Sequence, residues 1–399
     1  MLTLDSIQTL ACGGLLLFVG YAIRRRVPLL LRFSIPAPVI GGLLVALFML
    51  ACRHWGVTPI RFDTSLQQPL MIAFFTGIGF NASASLLKVG GRQILLFLTL
   101  ASLLAVAQNL LGIAMAKAFG LPPLFGVITG SVTLAGGPAT GLAFAPLFGK
   151  AGVHGAQSVA LANAMAGIVL GSIFGSPIAA MLIERLHLRP ADAVADTLAE
   201  APAETAKPGR TADPAYAGLK NLMFMLLAMG IGAWISSGLN RLGVTLPSYI
   251  GAMLVGAAIR NIDDTLGWFG LSTRSMELIG SIALSLFLVV ALMNLHLWDL
   301  AGLAMPLLAN LTVQSILVLA FCCWPLLQLM GRDYDAAVMA SGFTGFMLGT
   351  TANAVACMSS LTERYGPAPR AFLVAPLVGA FLIDFTNAII ITGFVNVWH

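Results

Sequence analysis

Long apolar runs separated by short polar stretches fill the chain, and the runs have helical rather than strand length. Ile94 to Ala116 alone is long enough to cross a bilayer as a helix. Alternation of period two over ten-residue segments is absent, which argues against an outer-membrane barrel. Spans are predicted at about 7–23, 36–53, 69–87, 93–118 and 156–183, then at about 219–239, 247–260, 276–296, 305–330 and 371–395. Between the two sets, residues 187–218 are rich in Ala, Pro, Asp, Glu and Thr and read as a solvated linker.

Two stretches break the pattern. The first, from Gly126 to Gly141, holds five glycines, three threonines, one serine and one proline in sixteen residues. That makes a poor continuous helix. Irregular backbone is tolerated at membrane depth only where protein buries it or water reaches it. We expect a re-entrant hairpin over about 122–149. The stretch Ser341 to Asn353 has the same character, and a second hairpin is expected over about 335–361.

The halves share short words in the same order. Ile35-Pro36 before Ile40-Gly41 matches Leu246-Pro247 before Ile250-Gly251. Gln108 matches Gln314, and Phe119-Gly120 matches Met330-Gly331. The fold class that follows is an all-α polytopic membrane protein of two repeats, residues 1–186 and 219–399. Each repeat has five transmembrane helices and one re-entrant hairpin.

Composition agrees with a membrane protein: 58% hydrophobic, 9% charged, mean hydropathy +0.93. The net charge of +5 would suggest nucleic acid in a soluble chain, but no basic run is interleaved with aromatics as a strand-binding groove needs. The basic residues instead report topology. Ile7 to Ile23 has no preceding positive charge and is followed by Arg24-Arg25-Arg26, so it reads as a first span with the N-terminus outside rather than as a cleavable signal. With five spans and one hairpin per half, the 21 Lys and Arg residues divide 16 cytoplasmic to 5 outside. Were both hairpins full crossings, the division would be 10 to 11. The positive-inside rule therefore favours hairpins. An odd number of crossings per half inverts the repeats. The first hairpin then enters from outside and the second from the cytoplasm, the linker is cytoplasmic, and both termini are periplasmic.

Asp384 is the one acid near the middle of a predicted span. An intramembrane carboxylate is costly and usually faces a partner, an ion or a proton. Cation coupling is one reading; an acid hydrogen-bonded to fix helix packing is the other. Asn387 can share its face one turn away. Thr76 and Asn81, in Phe75-Thr-Gly-Ile-Gly-Phe-Asn81, could also face a cavity, and with Asp384 and Asn387 they are the candidate cation ligands. Asn163 could contact substrate or bond across helices, while Gln108 and Gln314 suit interhelical bonding. No Lys or Arg is expected deep in a span, so an anionic substrate would be held by backbone N–H groups, helix N-termini and hydroxyls. Thr133, Gly136, Gly137, Thr140 and Gly141 suit that role in the first hairpin. Gly345, Gly349, Thr350, Thr351 and Asn353 suit it in the second. Tight packing through small residues explains the glycines equally well.

Cys12, Cys52, Cys322, Cys323 and Cys357 form no CxxC pair and read as small buried hydrophobes. No GxxxxGK[ST] loop occurs, so ATP-driven transport is not expected. An intramembrane aspartyl protease would need two deep acids, so no enzyme and no cofactor is expected. A passive channel could use the same hairpins.

The chain also resembles the bacterial sodium/glutamate symporters over nearly its whole length. The matching words are Ile35-Pro-Ala-Pro-Val-Ile-Gly-Gly-Leu-Leu-Val-Ala46, Asp63-Thr-Ser-Leu-Gln-Gln-Pro-Leu-Met71, Ala73-Phe-Phe-Thr-Gly-Ile-Gly-Phe-Asn-Ala82 and Val378-Gly-Ala-Phe-Leu-Ile-Asp384. The resemblance implies sodium-coupled uptake of glutamate across a bacterial inner membrane. It also implies a homodimer in lipid, with a fixed scaffold, a moving core and hairpins that carry the site. Where that family typically reads Ser-Gly-Gly-His-Gly-Thr-Gly, this chain has Ala135-Gly-Gly-Pro-Ala-Thr-Gly141. In the second hairpin it has Phe343-Thr344 for His-Cys and Thr351-Ala-Asn353 for Thr-Pro-Thr. A cation-coupled symporter of another organic anion, such as a di- or tricarboxylate, is the alternative expectation.

Overall fold

In the computed structural model, described over residues 2–54, 60–190, 214–242, 246–300 and 302–398, helices account for nearly all of the described residues. In the first half they are α1 (Ser6–Arg26), α2 (Pro28–Arg32), α3 (Ala37–His54), α4 (Gln67–Asn81), α5 (Ala84–Ala118), α6 (Pro123–Ile128), α7 (Ser131–Leu134), α8 (Gly137–Lys150) and α9 (Ala156–Arg185). The second half has α10 (Pro214–Arg241), α11 (Ser248–Leu266), α12 (Thr273–Met293), α13 (Ala304–Phe321), α14 (Leu327–Leu329), α15 (Tyr334–Met347), α16 (Thr351–Tyr365), α17 (Pro369–Leu377) and α18 (Ile383–Trp398).

Wider π turns at Cys322–Leu326 and Val378–Leu382 join α13 to α14 and α17 to α18. Two short parallel strands, Leu2–Leu4 and Ile60–Phe62, are an addition to the all-helical expectation.

Local chemistry explains the boundaries. Asp5 caps α1 by accepting the Gln8 N–H at 2.8 Å, and the Gln8 side chain returns a bond to the Asp5 N–H at 3.1 Å. Arg24, Arg25 and Arg26 close the same helix, where cations complement the dipole. α5 is kinked at Gly91, whose φ of +54° suits glycine.

Six helices among the described residues are long and apolar enough to cross a membrane. All ten predicted spans correspond to helical segments, with two adjustments. α4 stops at Asn81, short of the expected 87, because the Ala82 and Ser83 N–H groups turn back to the Gly79 and Asn81 carbonyls. α10 begins at Pro214, inside the expected linker, and residues 191–213 of that linker lie outside the described residues.

The helices sort into two packing groups. α1, α3 and α4 pack with α10, α11 and α12, and α4 lies against both α11 and α12. In the second group, α9 packs against α8, α15 and α16, while α5 packs against α6, α13 and α18. Each group draws on both halves of the chain.

The repeated words have matching structural uses. A Cβ on Gly41 would overlap the Leu16 carbonyl where α3 meets α1, and one on Gly251 would overlap Ser236 and Gly232 where α11 meets α10. Gly120 and Gly331, just before the two broken stretches, both adopt positive φ.

The α10–α11 contact gives a paired test. Gly232 has no room for a Cβ beside the Ala252 backbone, whereas Gly230, two residues away, has nothing within 4 Å. Gly232→Ala should destabilise the protein in detergent by about 1–3 kcal/mol. Gly230→Ala should leave its melting temperature unchanged in the same thermal-unfolding assay.

Candidate functional site

The first broken stretch is buried almost completely, so its freed backbone groups need partners inside the protein. Four carboxamides supply them. Asn163 and Asn310 both donate to the Thr129 carbonyl, at 3.1 and 2.9 Å. Asn109 accepts the Ser131 N–H at 2.9 Å, and Asn387 donates to the Ser131 carbonyl at 3.0 Å. The four asparagines come from α5, α9, α13 and α18, so the break between α6 and α7 is clamped from four sides. Thr133 adds a bond from its hydroxyl to the Ile128 carbonyl at 2.7 Å and accepts the Asn163 amide at 2.7 Å.

At the second break, Leu348–Thr350, one adjacent carbonyl is met directly and the flanking side chains are pinned to neighbouring helices. Asn353 donates to the Ile168 carbonyl at 2.8 Å, and Gln108 donates to the Met347 carbonyl at 3.1 Å. Gln314 donates to the Gln108 carbonyl at 2.7 Å, which ties α13 to α5. Thr351 donates its hydroxyl to the Gly379 carbonyl in the π turn before α18. The two glutamines therefore do the interhelical bonding expected of them.

The two breaks meet. Gly137 has φ +65°, and a Cβ there would lie 3.5 Å from the Gly349 carbonyl oxygen and 3.7 Å from Thr350 Cγ2. The N-termini of α8 and α16 consequently converge on one cavity of about 290 Å³. Ala135 to Ala139 and Gly349 to Thr351 line it, with Phe346, Gly379 and Asp384 from the same packing group. Tyr21, Arg24, Pro36 to Pro38, Phe74, Leu284, Ser285 and Leu288 of the other group form the facing wall. Two helix N-termini present free N–H groups and positive dipole ends, which suit a carboxylate.

The expected site residues divide into three sets. Gly136, Gly137, Gly349, Thr350, Thr351 and Asp384 line the cavity. Thr133, Thr140, Gly141, Asn163, Gly345, Asn353 and Asn387 lie behind it. The asparagines there hold the breaks, and Gly141 and Gly345 let neighbouring helices approach. Thr76 and Asn81 stand apart. Thr76 is buried where α4 meets Gly256 of α11 and donates to its own Ile72 carbonyl at 2.7 Å. Asn81 ends α4, away from the cavity wall to which Phe74 belongs.

Asn109 and Asn310 join the expected residues at the first break, and Arg24, one of the topology-setting arginines, joins the cavity wall. Asn109 and Asn310 sit within apolar runs that already carry Gln108 and Gln314, and polar residues inside spans are the signal that marks them.

Residues 2–367 match the family model described as Sodium/glutamate symporter. The chain belongs to the sodium/glutamate symporter family. The Sodium/glutamate symporter of Escherichia coli is 40% identical over 394 residues, 98% of this chain and 97% of that protein. That of Haemophilus influenzae is 38% identical over 390 residues, 97% and 96% of the respective chains. A solved sodium proton antiporter from Methanocaldococcus jannaschii aligns over 98% of both chains at 13% identity, and its TM-score of 0.24 carries no argument. In this member of the sodium/glutamate symporter family, Pro138 and Ala139 both lie on the cavity wall.

Asn310→Leu removes one of the two donors to the Thr129 carbonyl at nearly constant volume. It should loosen the break by about 1 kcal/mol. Hydrogen exchange of the amides at 129–134 should rise severalfold, with the amides of α15 unaffected.

Proposed function

We propose that this protein is a secondary active transporter that couples sodium to the uptake of L-glutamate by alternating access. The observation that carries this reading is the convergence of two helix N-termini and one acid, Asp384, on a cavity between two packing groups. Membership of a symporter family supports the coupling. One substrate carboxylate is held by the Gly137 N–H and the other free N–H groups in the first turns of α8 and α16, with the Thr350 hydroxyl beside them. Asp384 and Asn387, three residues apart on one helical face, supply oxygens to sodium, a cation that takes hard oxygen ligands. The Asn387 amide spends its N–H on Ser131 and leaves its Oδ1 without a protein partner.

In this reading the breaks are the tips of re-entrant hairpins. α8, α15 and α16 have 14, 14 and 15 residues. At 1.5 Å per residue each is about 21–23 Å long, short of a ~30 Å hydrocarbon layer. The repeats are inverted, with the first hairpin entering from the periplasm, the second from the cytoplasm, and both termini periplasmic. α1, α3, α4, α10, α11 and α12 form the scaffold of a homodimer in the inner membrane. The other group moves against it as an elevator.

A second reading is favoured by the cavity wall itself. Pro138 and Ala139 remove polar capacity beside the tips, which suits a di- or tricarboxylate without an amino group.

Proteoliposomes with an imposed sodium gradient should accumulate L-glutamate, and Asp384→Asn should reduce that uptake by at least about tenfold, the scale of one lost charged contact. Uptake indifferent to sodium would sink the coupling. Displacement by citrate or succinate but not by L-aspartate would favour the second reading.

A further inference from the structure

The cavity has two charged residues on its wall. Asp384 belongs to the group that carries the tips, and Arg24 belongs to α1 on the opposite side. Arg24 makes no ion pair or hydrogen bond to any described residue, and its Nε is buried without a partner. Its neighbours in sequence, Arg25 and Arg26, are exposed. One residue per 100° of helical turn separates their directions, so only the first of the three arginines faces the cavity.

A buried guanidinium nitrogen without an acceptor is costly, and the acceptor that suits a guanidinium is a carboxylate. A dicarboxylate needs a second anion-binding group beyond the N-termini of α8 and α16. Those helices hold one carboxylate on the tip side, and the wall across the cavity offers one cation.

We propose that Arg24 binds the second carboxylate of the substrate, across the boundary between the two packing groups. The inference rests on the transport reading above, and it adds a substrate-binding residue on the scaffold side. It assigns the substrate to dianionic carboxylates, whether amino acids or not. Because tips and arginine lie on different groups, this contact forms only while the cavity lies between them. Sliding of the groups breaks it. Arg24 therefore strengthens binding in one of the two access states and releases the substrate in the other.

The experiment measures binding and sodium-driven uptake of L-glutamate, succinate and the monocarboxylate analogues L-glutamine and butyrate, in wild type and in Arg24→Gln, Arg24→Lys and Arg25→Gln. Arg24→Gln should weaken dicarboxylate binding by at least about tenfold, the scale of a lost charged hydrogen bond. It should leave the weak binding of monocarboxylates within about twofold. Arg24→Lys should recover part of the loss, since a lysine keeps the charge without the fork. Arg25→Gln should match wild type, which separates the effect from the cytoplasmic charge that sets topology.

Equal loss in Arg24→Gln and Arg25→Gln, or unchanged dicarboxylate binding in Arg24→Gln, overturns the assignment. Loss for dicarboxylates and monocarboxylates alike also overturns it, because the arginine would then act on the fold. A wild-type protein that accumulates none of the four compounds overturns the transport reading instead.

Discussion

Broken backbone inside an apolar protein interior must find its hydrogen bonds without water. The rest of this structure depends on that constraint. A break between helices frees N–H and C=O groups, each expensive to bury alone. Here the Thr129–Ser131 break is answered by Asn109, Asn163, Asn310 and Asn387 from four helices, while Gln108 meets the Met347 carbonyl beside the second break and Asn353 ties that break to α9. The side chains that clamp the breaks also fix how α5, α9, α13 and α18 surround them. A site made of backbone is thereby held rigid while its outer face stays open to the cavity.

That clamping explains the division into two packing groups. Among the described residues, everything that answers the breaks belongs to one group, so on the proposed mechanism the breaks shift only with α5, α9, α13 and α18. The other group is built on close helix contacts, such as α4 between α11 and α12, and among the described residues contributes no hydrogen-bond partner to either break. The cavity lies on the seam between a polar-clamped body and a glycine-packed one. Alternating access requires a seam of that kind, because sliding there breaks few internal hydrogen bonds.

Much of this was legible from the chain. The helical segments and the two interrupted stretches follow from apolar run lengths and from the glycine and threonine content of 126–141 and 341–353. The direction of a side chain is harder to read. Arg24 looks like one of three cytoplasmic arginines, and only the helical phase of α1 turns it toward the cavity. Thr76 and Asn81 read as cavity residues because they are the polar positions of an apolar, glycine-bearing run, yet α4 presents Phe74 to the wall and buries Thr76 against Gly256. Asn109 and Asn310 carry no local signature of clamping a break, since their partners lie 22 and 181 residues away. Contacts of such separation come from tertiary packing.

The central claim is that the cavity at the two tips is reached from both sides of the membrane, alternately. A single cysteine at Ala139, on the cavity wall, tests it in a background with Cys12, Cys52, Cys322, Cys323 and Cys357 replaced. Its reaction with a membrane-impermeant maleimide is measured in right-side-out and in inverted vesicles. The account predicts labelling from both sides, slowed from both by sodium with L-glutamate. Labelling from one side alone, whatever the sodium and substrate, would contradict it.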